Sequence, residues 1–129
     1  MAYIKFKELT KYFDFKEEID SKDLPYYVVE YVYDDEEIVL GYKNSKDYIM
    51  FTTKRMYLFD RDVAGIYYKK IHIIPYYSIS SGAINFKPGK AELLFSLDSG
   101  YQVHLNFVSM NHDKKENLKR IYRMMFSGK

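Results

Sequence analysis

Three histidines, His72, His104 and His112, are the side chains with which this sequence could perform acid–base or metal chemistry. The chain has no cysteine, which excludes thiolate catalysis, cysteine-based zinc sites and disulfide bonds. The histidines are scattered, and the first two fall on the polar side of segments that alternate like strands. We interpret them as solvated surface residues and predict neither a metal site nor a cofactor.

Catalytic motifs are also missing from the sequence. It contains no glycine-rich phosphate loop, no G-x-S-x-G nucleophile elbow and no H-E-x-x-H zinc motif. Serine, threonine and tyrosine hydroxyls are the only usual nucleophiles, and none has a base adjacent in the sequence. We therefore predict that the protein is not an enzyme.

Basic residues form a candidate site for anions. The chain has 20 Lys and Arg residues and 18 Asp and Glu residues, so the molecule as a whole is close to neutral. An anion-binding site would therefore have to be formed by a local cluster of basic residues. Basic residues occur at two predicted turns and along the C-terminal segment. The candidate anion-binding residues are Lys43, Lys46, Lys54, Arg55, Lys115, Lys119 and Arg123. Together with the Tyr/Lys-rich strand YYKK at 67–70, the basic face of the C-terminal helix supports one alternative function, binding of nucleic acid or an anionic membrane surface.

Tyrosine dominates the composition, with 15 Tyr and 9 Phe residues and no Trp. Aromatic side chains favour half-buried strands and are enriched where protein interfaces are strongest. The composition therefore predicts a β-rich fold with a surface that binds other proteins. The candidate partner-binding residues are Tyr67, Tyr68, Lys69, Lys70, Tyr76 and Tyr77.

Seven short segments of the chain have the composition or the alternation of strands. They cover residues 37–43, 48–52, 55–59, 66–74, 82–86, 92–98 and 101–107. Pro88 and Gly89 fit the central positions of a type II turn, and Ser99 with Gly100 joins the last two segments. These features predict an antiparallel sheet with sharp turns, and the length of 129 residues predicts a single domain.

The two ends of the chain have helical features. Residues 111–127 combine the capping residue Asn111 with an apolar stripe on one face, which predicts a helix packed on the sheet. At the other end, Phe6, Leu9 and Phe13 recur at helical spacing, and Pro25 could begin a further helix. We predict a helical extension over residues 1–34.

The first residues, MAYIKFKELTKYF, contain no apolar run of the kind found in signal peptides. No window approaches the roughly 18 apolar residues of a transmembrane helix. Together with the lack of cysteine, these features favour a cytoplasmic location.

Several of these segments have a characteristic order of residues. Glu37 and Ile38 precede the run DYIMFTTKRM at 47–56, and Gly65 precedes Lys69 and Lys70. IPYYSI follows at 74–79. This order resembles the bacterial pleckstrin-homology (PH) domain family. The resemblance implies an α+β, mainly β fold, in which a bent antiparallel sheet or partly open barrel is capped by a C-terminal helix.

The resemblance also implies how the domain is divided and how it assembles. An N-terminal extension over 1–34, a seven-stranded sheet over 35–109 and a capping helix over 111–127 would form one PH-like domain. Members of the family often self-associate through sheet edges. PH domains that bind phosphoinositides place a basic pair where this chain has Tyr48 and Met50, so no specific phosphoinositide binding is expected.

From these features we predict that the protein is a non-catalytic interaction module that binds a protein partner and can assemble with itself. A small regulator or inhibitor of a larger machine fits the same features.

Overall fold

The structure is a computed structural model that describes residues 12–45, 47–61 and 68–127. Within these ranges the chain forms strands and two α-helices. In chain order they are β1 Tyr12–Phe15, β2 Glu17–Ile19, α1 Tyr26–Val29, β3 Ile38–Lys43, β4 Tyr48–Thr52, β5 Arg55–Arg61, β6 Tyr68–Pro75, β7 Ile79–Lys87, β8 Lys90–Leu97, β9 Gln102–Phe107 and α2 His112–Phe126. Single 3₁₀ turns occupy Ser21–Asp23 and Tyr76–Ser78.

The strands form two sheets. The five-stranded sheet has the order β2-β3-β4-β5-β6 and is antiparallel throughout. The four-stranded sheet has the order β1-β9-β8-β7, and β1 runs parallel to β9. The chain passes from one sheet to the other at Pro75, which ends β6 because proline cannot donate a ladder hydrogen bond. Because the described strands pair within two separate sheets, they form an open rather than a closed barrel.

Alternating side chains of β8 and β9 build the main core. Leu93 and Phe95 are buried opposite Leu105 and Val103, as the sequence alternation predicts. The core continues across to the other sheet through the ring of Phe107, whose centroid is 4.7 Å from that of Tyr42. Removing these side chains from water supplies the main driving force that holds the two sheets together.

Helix α2 covers the core. The Asn111 side chain accepts a hydrogen bond of 2.9 Å from the backbone N–H of Lys114, which confirms the predicted cap. Leu118, Ile121 and Met125 form the buried face of the helix. All seven predicted strands and the predicted C-terminal helix are present, with boundaries that differ by a few residues.

The N-terminal extension differs from the prediction. Part of the expected helix lies outside the described residues, but Tyr12–Phe15 is a strand and Glu17–Ile19 is a second one. Within the described part of the extension, Tyr26–Val29, directly after Pro25, is the α-helical segment. Pairing with β9 and β3 gives one side of each segment's backbone its hydrogen-bond partners, and the Phe15 side chain is buried. These tertiary contacts outweigh a weak helical periodicity.

Candidate functional site

A buried carboxylate lies at the end of the barrel where β4 turns into β5. Glu36 belongs to the segment that leads into β3, and its side chain has no exposed surface. One carboxylate oxygen accepts hydrogen bonds from the Tyr33 N–H, at 2.7 Å, and from the Tyr57 hydroxyl. The other accepts a hydrogen bond of 2.5 Å from the Thr52 hydroxyl. Glu36 therefore ties the N-terminal extension to β4 and β5.

Arg55 completes this group of interactions. Its Nη1 lies 3.1 Å from Oε1 of Glu36 and 3.5 Å from Oδ1 of Asp35. Its guanidinium carbon also lies 4.2 Å from the centroid of the Tyr33 ring, which adds a cation–π contact. Nζ of Lys54 is 3.1 Å from the second oxygen of Asp35. Lys54 and Arg55, both candidate anion-binding residues, thus already face carboxylates.

The electrostatics of this group keep Glu36 ionised. Burial disfavours its charged form, but hydrogen bonds from Thr52, Tyr57 and the Tyr33 N–H outweigh burial, and Arg55 adds to them. Together they lower the pKa of Glu36 below its ordinary value of 4.5. Burial and the bond to Glu36 raise the pKa of the Tyr57 hydroxyl. Since a carboxylate of lowered pKa is a weak proton acceptor, this arrangement suits a structural cross-link better than acid–base catalysis.

A surface depression of about 370 Å³ lies beside this group, and we call it the corner cleft. It is bounded by the β4–β5 turn, the Pro75 corner and the C-terminal end of α2. Its lining includes Asp35, Lys54, Arg55, Pro75, Tyr77 and Met124. The cleft thus combines mutually paired charges with apolar and aromatic surface.

The two candidate tyrosines at this corner have opposite roles. Tyr76 is only 6% exposed, and its hydroxyl donates a hydrogen bond of 2.7 Å to the backbone oxygen of Thr52. Tyr77 is 79% exposed at the rim of the corner cleft. Tyr76 is therefore part of the core and is unavailable to a partner, whereas Tyr77 is accessible.

The other candidate partner-binding residues belong to the stretch around the start of β6. Tyr67 lies outside the described residues. The backbones of Tyr68, Lys69 and Lys70 form part of β6, which is an edge strand of the five-stranded sheet.

The remaining candidate anion-binding residues do not converge on one site. Lys46 lies outside the described residues, and Nζ of Lys43 is 4.0 Å from Oε2 of Glu17. On α2, Lys115 donates from Nζ to the backbone oxygen of Lys87 at 2.7 Å. Lys119 pairs with Glu116 at 3.0 Å, and Arg123 is exposed. The structure thus distributes these cations over two separate surfaces.

The histidines occupy three separate places. His104 lies on the outer face of the four-stranded sheet, with Nε2 2.9 Å from Oε2 of Glu92. His72 is in β6, and His112 is exposed at the start of α2. In the part of the chain that the structure describes, no three acidic or histidine side chains are grouped as metal ligands. None of the described helices is long and apolar enough to cross a membrane.

Glu36 and Tyr33 were not among the residues singled out from the sequence. They belong to the stretch YDDEE, whose acidic composition is typical of a solvated surface segment. The partners of Glu36 on β4 and β5 lie at least 16 residues further along the chain. No local pattern could therefore have identified the buried member of this acidic run.

Comparison with known proteins places the fold in a family. The family model of the bacterial PH domain matches residues 10–128. No curated protein gives a significant match to this chain. Among solved structures, a DUF1696 family protein with a pleckstrin-homology domain from Shewanella loihica is 25% identical. It has a TM-score of 0.62 over 85% of this chain and 97% of its own.

Two further solved structures are similar. A pleckstrin-homology domain from Shewanella amazonensis is 29% identical, with a TM-score of 0.56 over 85% of this chain and 91% of its own. A PH-domain-containing bacterial protein from Exiguobacterium sibiricum has a TM-score of 0.65 at 16% identity, which supports the fold alone. The match covers 88% of this chain and 61% of that one. Since the family model spans nearly the whole sequence, this chain belongs to the bacterial PH domain family.

Proposed function

We propose that this protein is a non-catalytic, cytoplasmic interaction module whose single PH-like domain binds a protein partner through the corner cleft. The observation that carries the proposal is the 79% exposure of Tyr77 beside the apolar surface of Pro75 and Met124. Tyrosine supplies a large contact area at a small cost in conformational entropy, and it is enriched in interface hot spots.

The charges around the cleft support a protein partner over a polyanion. Lys54 and Arg55 lie within ion-pair distance of Asp35, and Arg55 also pairs with the buried Glu36. A polyanion would have to compete with these carboxylates, whereas a protein surface of mixed charge can match them. Nucleic acid and anionic membranes therefore remain the less favoured ligands.

Affinity purification from the native cell tests the proposal. A tagged wild-type chain should recover a specific partner, and Tyr77→Ala should lose most of it because the exposed aromatic contact is removed. Tyr26→Ala is the matched control, since Tyr26 is equally exposed at 77% but does not line the cleft. Equal recovery of the partner by wild type and Tyr77→Ala would exclude the corner cleft as the binding surface.

The salt dependence of binding separates the two classes of ligand. Binding to the recovered protein should change little as salt rises, because an aromatic contact dominates. Binding that weakens steeply with salt, together with nucleic acid in the purified material, would favour the polyanion alternative.

A further inference from the structure

Strand β2 pairs with only part of β3, and a groove lies where this pairing ends. Glu17–Ile19 is opposite residues 41–43, so residues 38–40 have no strand partner on that side in the described part of the chain. Beyond Ile19 the chain leaves the edge of the sheet in a 3₁₀ turn. An opening of about 280 Å³ remains between the first half of β3 and α2. We call it the β3–α2 groove.

The lining of this groove is mostly apolar. It consists of Val39, Leu40, Asn117, Arg120, Ile121 and Met124. Val39 is 40% exposed, and Leu40 and Met124 are only partly buried. Apolar surface left open in a concave site is typical of places where proteins bind other molecules. The flexible side chain of Met124 can adapt to the shape of what binds there.

Arg120 is the charged member of this lining. Its Nη2 donates a hydrogen bond of 2.9 Å to Oδ1 of Asn117, and no carboxylate of the described residues lies within ion-pair distance of it. Arg123 is exposed three residues later and adds a second cation beside it. Glu116, one turn before Arg120, is paired with Lys119 at 3.0 Å. The guanidinium of Arg120 is therefore bound to a neutral amide and can accept a carboxylate.

Asn117 separates this cation from an acidic residue. Its Nδ2 lies 3.3 Å from each carboxylate oxygen of Glu18 on β2, while its Oδ1 accepts the hydrogen bond from Arg120. The amide thus lies between a negative end of the groove and a positive one. A ligand with a carboxylate has one favoured orientation, with the carboxylate at Arg120 and away from Glu18.

The dimensions of the groove limit what it can hold. Asn117 and Met124 are seven residues apart on α2, so the groove runs roughly 10 Å along the helix axis. An extended peptide covers this distance with about three residues. The groove therefore suits a few side chains of a short segment rather than the face of a folded domain.

We propose that the β3–α2 groove binds a short acidic segment of a partner protein. An apolar side chain of the segment contacts Val39 and Met124, and a carboxylate about three residues away or closer pairs with Arg120. Arginine can form two parallel hydrogen bonds with a carboxylate, and it is enriched in interface hot spots. The proposal does not rest on the proposed function, because the lining of the groove and that of the corner cleft share Met124 alone.

A polyanion is a poorer occupant of this groove. Nucleic acids bind through many phosphate contacts, whereas Arg120 and Arg123 offer two cations beside apolar surface. Glu18 and Glu116 lie along the same stretch of the helix and would repel a row of phosphates. A single carboxylate next to an apolar residue avoids this repulsion.

Selection of random peptides displayed on phage tests the proposal with the full chain. Peptides that bind the wild type are kept, and those that also bind Val39→Arg are removed, because the long charged side chain would fill the groove. We expect the remaining peptides to share an apolar residue with Asp or Glu about three positions away or closer. Their binding should shift the amide NMR signals of residues 38–40 and 117–124. Failure to obtain a peptide that distinguishes the two proteins, or remaining peptides without an acidic residue, would overturn the proposal.

Charge reversal identifies the side chain that pairs with the carboxylate. Arg120→Glu should weaken binding of a selected peptide about tenfold, and replacing the acidic residue of the peptide with Lys should restore binding to this variant. Lys119→Glu is the matched control, because it makes the same change one residue earlier on a different flank of α2. It should bind as the wild type does. Equal loss in both variants, or no restoration by the Lys peptide, would show that Arg120 does not pair with the segment.

Two further measurements separate the groove from other surfaces. Tyr77→Ala should bind the selected peptides as the wild type does, since Tyr77 lines the corner cleft and not the groove. A loss as large as that in Val39→Arg would place the peptides in the corner cleft and refute the proposal. If the free chain forms an oligomer that Val39→Arg dissociates, a second copy occupies the groove and the proposal is wrong.

Discussion

At the scale of single residues, the buried carboxylate of Glu36 connects segments that are distant in the sequence. Its carboxylate receives hydrogen bonds from a backbone N–H, two hydroxyls and a guanidinium. A buried charge is tolerated when it is fully paired in this way, but removing one partner leaves the others uncompensated. Substitution of Glu36 should therefore lower the free energy of unfolding by more than any one of these hydrogen bonds contributes.

Glu36→Ala should destabilise the fold by about 3 kcal/mol, because Arg55 and the Tyr57 hydroxyl lose a buried acceptor. Urea unfolding followed by circular dichroism measures the loss. Asp35→Ala is the control, because the neighbouring carboxylate is 53% exposed and should matter little. Equal stability of the two variants would mean that the hydrogen bonds and ion pair of Glu36 do not stabilise the fold.

The lowered pKa of Glu36 predicts a dependence of stability on pH. A carboxyl group whose pKa is lower in the folded state than in the unfolded state stabilises the fold at pH values above its unfolded-state pKa. For Glu36 that pKa is 4.5. This stabilisation disappears as pH falls below 4.5 and through the folded pKa. We expect Glu36→Gln to be less stable than the wild type at neutral pH and the difference to narrow in acid. A difference that stays constant between neutral pH and strong acid would contradict the assignment.

At the scale of elements, α2 determines whether the open barrel retains its core. Ile121 is 2% exposed, and it lies between Leu118 and Met125 on the buried face of the helix. The helix also packs against β7 through Phe126 and Gly82. We therefore regard α2 as part of the core of the domain rather than as an appendage.

Ile121→Asp should unfold the domain or destabilise it by several kcal/mol, because it would bury an unpaired carboxylate. Thermal melting followed by circular dichroism provides the measurement. Arg120→Asp introduces the same side chain one residue earlier on the exposed side, and it should fold normally. A wild-type melting temperature for Ile121→Asp would mean that the helix does not pack on the sheet.

At the scale of the whole molecule, the positions on β4 where phosphoinositide-binding PH domains carry a basic pair hold Tyr48 and Met50. Met50 is fully buried, and the Tyr48 ring lies 6.2 Å from that of Tyr27. We expect liposomes with and without phosphoinositides to recruit the protein equally in flotation assays near physiological salt. Recruitment that depends on the headgroup and disappears in Lys43→Ala would overturn this prediction.

Self-assembly, which the family resemblance implies, also belongs to this scale. Tyr26 and Tyr31 are exposed, so aromatic side chains are available for contact between copies. We expect a closed, symmetric multiple of the 15.5 kDa chain, since open addition would produce fibres. Light scattering coupled to size exclusion measures the mass over a wide range of concentration. A constant mass of 15.5 kDa would exclude self-assembly.

Much of the architecture could be predicted from the sequence because its signals are local. Alternation in β8 and β9 indicates which side chains are buried, and the left-handed conformation of Gly89, with φ of 68°, occurs where the Pro88–Gly89 turn predicts it. The Asn111 cap and the apolar stripe likewise predicted α2. Each of these signals depends on residues within a few positions of one another.

Tertiary structure alone decided the features that depend on distant partners. Phe15 forms part of a strand because β9 provides a backbone ladder and Phe107 a ring 5.7 Å away. Glu36 is buried because Thr52, Arg55 and Tyr57 surround it, although its own segment looks solvated. Tyr76 and Tyr77 are the same residue type, yet the chain's turn at Pro75 directs one into the core and the other outward. Local patterns specify strands, turns and caps, whereas the positions of elements distant in sequence determine burial and pairing.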